Sequence, residues 1–212
     1  MRPWHPEIRL YTRGVLVPYA DDMTMREARR RYFEANHFGE NGGYDDAWVD
    51  FKLGPIPFPF PNSPARVRAV RYHDLHHVLS GYDTDIVGEF EISAWEIAAG
   101  CKGFVAAWAL NLGGTAGGML RAPRRVFAAF VRGRRCRTVY GEPMEGLLDE
   151  TVGALRARYV VAEGARATVA DVAAFAAAVV AGFTVGSVLF VTTVPLVPVG
   201  LVAGWWHRRS SR

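Results

Sequence analysis

Residues 71–85 read Arg71-Tyr72-His73-Asp74-Leu75-His76-His77-Val78-Leu79-Ser80-Gly81-Tyr82-Asp83-Thr84-Asp85. The residues up to Ser80 suit a helix beginning at about Ser63, and Gly81 supplies a left-handed stop. Tyr82–Asp85 reads as a turn in which Asp83, Thr84 and Asp85 are candidate caps. A second helix is expected from about Ile86 to Cys101. Helix, glycine turn and helix make a hairpin, and the surrounding sequence agrees with a helical protein. Thr24-Met25-Arg26-Glu27 is a capping box that opens a helix through about Asn36. Gly146–Ala162 reads as another helix. Gly39–Asn62 reads as a loop, because Gly42-Gly43 and the alternating prolines Pro55, Pro57, Pro59 and Pro61 forbid a helix there. No segment alternates with period two for long enough to suggest a sheet. The expected fold class is all-α.

The hairpin also carries chemistry. His73 and His77 stand at i and i+4, so they share one helix face, the spacing by which a helix offers two imidazoles to one ion. Asp74 lies about 100° further round and either reaches the ion from the edge or orients a ligand. The turn brings Glu89 back opposite the histidines. Glu89, Ser93 and Glu96 share a face, which makes Glu96 a spare carboxylate nearby. His76 points elsewhere and reads as a core or surface residue. Two histidines with one or two carboxylates suit Zn, and also Fe, Mn or Co, with positions left open for substrate or water. A competing reading takes His73-Asp74 as the seed of a phosphohydrolase site; it needs further separated ligands, for which His37 is the upstream candidate.

The chain has 212 residues, is 50% hydrophobic and 22% charged, and carries a net charge of +4. That composition excludes a disordered chain. Two cysteines, Cys101 and Cys136, exclude a disulfide framework and a zinc-finger cluster. The positive charge is nearly all arginine, which suits anionic lipid headgroups as well as nucleic acid; no nucleic-acid partner is expected. Met1–Pro6 does not open a signal peptide, so the catalytic part is expected on the cytoplasmic side.

Charge is unevenly spread. The 35 residues from Val172 to Trp206 contain no charge and no histidine. A straight helix of that length spans roughly 52 Å at about 1.5 Å per residue, against a hydrocarbon core of about 30 Å. A transmembrane hairpin or a kinked span is therefore expected, with Gly182, Gly186, Pro195 and Pro198 as bends and Trp205-Trp206 as an interfacial anchor. Arginines flank both ends, which favours the hairpin. Two domains follow: residues 1–166, helical and metal- and lipid-binding, and residues 167–212, the hydrophobic C-terminal segment. The glycine-rich, uncharged Gly103–Leu120 reads as a core helix ending near its paired glycines, or as the lining of a lipid-tail groove. Arg121, Arg124, Arg125, Arg132, Arg134, Arg135 and Arg137 follow, interleaved with Val126, Phe127, Phe130 and Val131. This is either a basic amphipathic segment for a membrane surface or a solvated face.

His73-Asp74-x-x-His77-x(11)-Glu89, with its surroundings from about Met23 to Ala99 and on to about Tyr159, resembles the signature of the Coq-four family of ubiquinone (coenzyme Q) biosynthesis proteins, in its bacterial members. The resemblance implies a mostly helical fold and a divalent metal held by His73, Asp74, His77 and Glu89. It implies association with the bacterial cytoplasmic membrane and a polyprenylated aromatic lipid. It implies an activity of the lyase type: a polyprenylated hydroxybenzoate loses its C1 carboxyl, which a hydroxyl replaces. The alternative it offers is a non-catalytic lipid-binding scaffold that organises the other quinone-biosynthesis enzymes. Those enzymes and a second copy of this chain are the expected protein partners.

Overall fold

The computed structural model describes residues 19–49, 52–53, 56–57, 60–160 and 166–193, together with 198 and 202. The N-terminal reading and the expected anchor at Trp205-Trp206 lie outside these residues. The fold is all-α.

Helix α1, Met25–Asn36, starts where the capping box places it: Thr24 Oγ1 accepts from the Glu27 N–H at 3.3 Å. It ends at His37, whose left-handed backbone (φ 56°) is unusual for a residue other than glycine. The expected loop follows with a small correction. Strand β1 (Trp48–Val49) pairs antiparallel with β4 (Phe60–Pro61), and β2 (Lys52–Leu53) pairs with β3 (Ile56–Pro57). Each strand has two residues, too few to leave a period-two trace in the sequence.

The hairpin forms as expected. Helix α2, Pro64–Ser80, is capped by Ser63, has proline in its first turn and stops at Gly81 (φ 81°). Helix α3, Ile86–Ala99, is capped by Asp85, which accepts from the Gly88 N–H at 2.7 Å. Helix α2 sits between two apolar cores. Leu75, Val78 and Leu79 join Met25, Tyr32, Leu148 and Leu155 in one. Ala69 joins Ala94, Ile97, Val126, Phe130 and Tyr140 in the other. A helix buried on several sides has no single apolar stripe, and this frees one of its faces for polar groups.

Four expectations are corrected further along. Helix α4, Val105–Arg121, does not end at the paired glycines but runs through them. Their lack of a side chain lets neighbours approach closely. A Cβ on Gly114 would stand 2.3 Å from Ser93 Oγ, and one on Gly118 would stand 2.6 Å from Phe90. The arginine-rich helix α5, Pro123–Gly133 with residues up to 137, has most of its guanidiniums paired within the chain, although Arg125, Arg134 and Arg137 remain exposed. Arg125 grips Glu91 in a bidentate pair at 3.0 and 2.5 Å. Buried Arg132 donates to the Ser80 carbonyl, Arg134 and Arg135 pair with Asp171, and Arg137 donates to the Arg158 carbonyl. Arg121 and Arg124 are exposed.

The expected helix over Gly146–Ala162 is two short ones, α6 (Met144–Asp149) and α7 (Val152–Tyr159). The break falls at Thr151, which caps α7 through the Ala154 N–H and bridges to Thr24 beside α1. Helix α8, Val169–Thr193, passes through Gly182 and Gly186 without a break. Gly182 serves contact rather than bending, since a Cβ there would meet the Leu112 carbonyl of α4 at 2.3 Å. By length and composition α8 can cross a membrane over Val169–Val188, with mean hydropathy 1.9. Its first half is seated in the second core through Phe175, between Phe127 and Phe130. The continuation of the run, where bends at Pro195 and Pro198 were expected, falls almost wholly outside the described residues.

Candidate metal centre

His73 and His77 project from one face of α2, and Glu89 meets them from the first turn of α3. His77 Nε2 lies 3.2 Å from His73 Nε2. Glu89 Oε2 is 3.4 Å from His73 Nε2, and Glu89 Oε1 is 3.3 Å from His77 Nε2. The ligand atoms of these three residues all lie within 4.8 Å of one another.

Both rings are held from behind. The Tyr82 carbonyl, which can only accept, lies 2.9 Å from His77 Nδ1, so that nitrogen carries the proton. His73 Nδ1 lies 2.9 Å from Glu96 Oε1 and donates to it. Each Nε2 therefore presents its lone pair, and two lone pairs facing at 3.2 Å beside a carboxylate need a cation or a proton between them. The Tyr32 ring stacks on His77, with centroids 5.6 Å apart. Glu89 keeps a side-chain exposure of 41% while His77 is fully buried, so the group opens outward on the carboxylate side.

Glu96 is the organising residue that the sequence left as a spare carboxylate. It is fully buried and collects four donors. His73 and His76 donate to Oε1 at 2.9 and 2.6 Å, while Tyr140 donates to Oε2 at 2.6 Å and Asn111 closes the set. His76 is a core residue, as read from the sequence. It accepts the Val139 N–H on Nε2 at 3.0 Å, which fixes its proton on the side facing Glu96. Burial pushes the Glu96 carboxyl up, but the charge and hydrogen bonds of His73 and His76 outweigh it and hold the group well below the usual carboxylate range. Burial likewise opposes a charge on His73, and the Glu96 and Glu89 carboxylates override it, holding its pKa well above the ordinary value. Glu89 is depressed by the two imidazoles against the effect of burial.

Asp74 lies beside the three converging groups but is not one of them. Its Oδ2 accepts the Tyr44 hydroxyl at 2.5 Å, and burial raises its pKa despite that bond. Tyr44 also lines an open cleft of ≈ 510 Å³ along the N-terminal half of α2, with Arg68, Arg71 and Tyr72 on its walls. The upstream candidate for a phosphohydrolase set, His37, caps α1 and is not in the group.

Glu96 had a legible signal, since it stands seven residues after Glu89 on the same helix face. Asn111 had a weaker one, as a polar residue in the uncharged stretch Gly103–Leu120. Tyr140 had none, because tertiary packing alone brings it in, and the Tyr82 carbonyl is set by the backbone of the turn after α2, which side-chain types do not show. Comparison with family models, with curated proteins and with solved structures finds no match.

Proposed function

We propose that this chain is a metal-dependent enzyme of ubiquinone or related prenylquinone biosynthesis, acting on a polyprenylated hydroxybenzoate. One observation carries the metal part of the reading: His73 Nε2, His77 Nε2 and Glu89 converge on one point while each histidine is anchored through its other nitrogen. This donor set fits a borderline cation such as Zn, with Fe, Mn or Co also suited. Asp74, in the expected ligand set, stands beside it and is held by Tyr44. The lipid part of the reading rests on the sequence resemblance and on the apolar surface of α8.

A divalent ion at this point supplies a Lewis acid toward a carboxylate or ring oxygen. The chain's own residues do the rest. Glu96 and the Tyr82 carbonyl keep both Nε2 atoms aimed outward. Glu89, half exposed, leaves an approach for an aromatic acid. The cleft beside Tyr44 and Tyr72 offers ring faces and two guanidiniums to its head. Replacing a carboxyl by a hydroxyl is an oxidation, so a two-electron acceptor is required as co-substrate. The protein works at the bacterial cytoplasmic membrane with its metal centre on the cytoplasmic side.

The test is metal analysis of the purified protein, followed by turnover of a prenylated hydroxybenzoate before and after chelation. The expected result is near one equivalent of divalent metal per chain and conversion that chelation abolishes and metal restores. Lipid binding with bound metal but without turnover would leave the scaffold reading in its place.

A further inference from the structure

We infer that α4 and α8 together form an in-plane platform on which the body lies flat against an anionic bilayer, a reading that rests on the membrane association proposed above. The two helices are packed side by side. The Phe175 ring stands against Phe127 and Phe130 of α5, while Gly182 meets Leu112 and Ala116 in the middle of α4. Helix α8 therefore runs back along α4 against its direction. Their outer surface is apolar. Leu110, Gly113 and Leu120 follow one face of α4 at helical spacing. Leu110 and Leu120 are exposed, and a Cβ at Gly113 would meet nothing within 4 Å. Val172, Val180, Phe183 and Val188 are exposed on α8. A contiguous apolar surface of this kind in a soluble monomer needs a partner.

Charge decides how the surface meets lipid. At one end of the pair stands the Lys102–Glu142 ion pair, just before α4. At the other, Asp171 is held by Arg134 and Arg135, and Arg121 and Arg124 are exposed. Were α8 to enter the bilayer end-on from Val169, α4 would go with it. The far ion pair would then be carried roughly 25 Å inward at about 1.5 Å per residue, into a hydrocarbon core about 30 Å thick. Lying in the plane keeps both charged ends at headgroup depth and only the apolar faces below it. Arg121 and Arg124 at the rim match anionic headgroups.

The experiment is a depth measurement on the full chain in vesicles of phosphatidylcholine and phosphatidylglycerol. Val105→Cys, Leu120→Cys, Val172→Cys and Val188→Cys are each labelled with an environment-sensitive dye and quenched by lipids brominated at stepped depths. All four side chains are exposed, and the native Cys101 and Cys136 are buried, so labelling reports the surface without disturbing the core. The platform requires one shared, shallow depth for all four. Depth increasing from 172 to 188, and in step from 120 to 105, overturns it in favour of end-on insertion. Labels untouched by any lipid quencher, with cross-linking of the same positions between two chains, overturn it in favour of a homodimer. The labels report depth whatever the metal content, so failure here and failure of the metal-centre reading are separately visible.

Discussion

Glu96 holds more of the candidate metal centre together than any candidate ligand does. Four donors end on its buried carboxylate, and each is stranded if it goes. Glu96→Gln turns one oxygen into a donor facing donors. It is expected to lower unfolding free energy by about 2–4 kcal/mol in urea titration, and to weaken metal affinity by roughly 10–100-fold because His73 loses its anchor. Glu89→Ala and His77→Ala remove ligand atoms instead. They are expected to lose the metal while keeping helical content by circular dichroism, since a site with open positions contributes less to folding than a closed one. His76→Ala sorts the other way: metal retained, stability reduced by about 2–4 kcal/mol, because the Glu96 carboxylate and the Val139 N–H each lose a buried partner. Metal bound equally well by Glu96→Gln and the native chain would show that the carboxylate only packs. Nearby, burial first and Glu96 second push the Cys101 thiol up from 9.0 to about 12. The unfolded chain gives up that proton first, so this group's contribution falls as pH rises from about 9 toward 12. In native protein at pH 8 neither cysteine should react with a thiol reagent, and both should react after denaturation.

At the scale of elements, caps were legible and contacts were not. Thr24, Ser63, Asp85 and Gly81 act within a few residues, so their types alone place three helix starts and the hairpin turn. The two imidazoles at i and i+4 and the carboxylate after the turn were legible for the same reason. Thr151 was read as a helical residue although it caps α7 locally through the Ala154 N–H; its bridge to Thr24 is the part no local pattern carries. The glycines of α4 read as weakness because the sequence does not show what lies opposite each one. Gly113 and Gly114 separate these cases. Gly114→Ala drives a Cβ into Ser93 and is expected to cost about 1–3 kcal/mol. Gly113→Ala meets nothing and is expected to be neutral, or to stabilise by up to about 1 kcal/mol through helix propensity. Thermal denaturation of the two variants in the same detergent decides it, and equal losses would mean that α4 is set differently against α3.

For the whole molecule, the sequence divided charge correctly along the chain but not in space. Seven arginines in residues 121–137 suggested a basic face, and five of them are paired with Glu91, Asp171 or backbone carbonyls, with Arg132 buried while Arg125, Arg134 and Arg137 stay exposed. Linear composition counts charges and cannot show that partners such as Glu91 and Asp171, 34 or more residues away, consume them. Vesicle binding should therefore depend little on Arg125 and Arg135. Glutamine at either should lower stability more than it lowers partition into anionic vesicles, as a flotation assay with a parallel melting curve would measure. The reverse order would restore the segment as the membrane contact.

Two buried guanidiniums close the end of α2. Arg132 takes the Ser80 carbonyl, while Arg156 takes those of Val78 and Leu79 and also holds Tyr19 and Asp21. They arrive from α5 and α7, 52 to 78 residues later in the chain. The last turn of α2, which contains His77, thus acquires its hydrogen-bond acceptors' partners only when those later helices dock. A ribosome that has delivered Glu89 has made all three converging ligands and no finished site. On the proposed metal-centre reading, loading during synthesis is expected to follow the emergence of Arg156 from the exit tunnel, when the carbonyls at the end of α2 gain their donors.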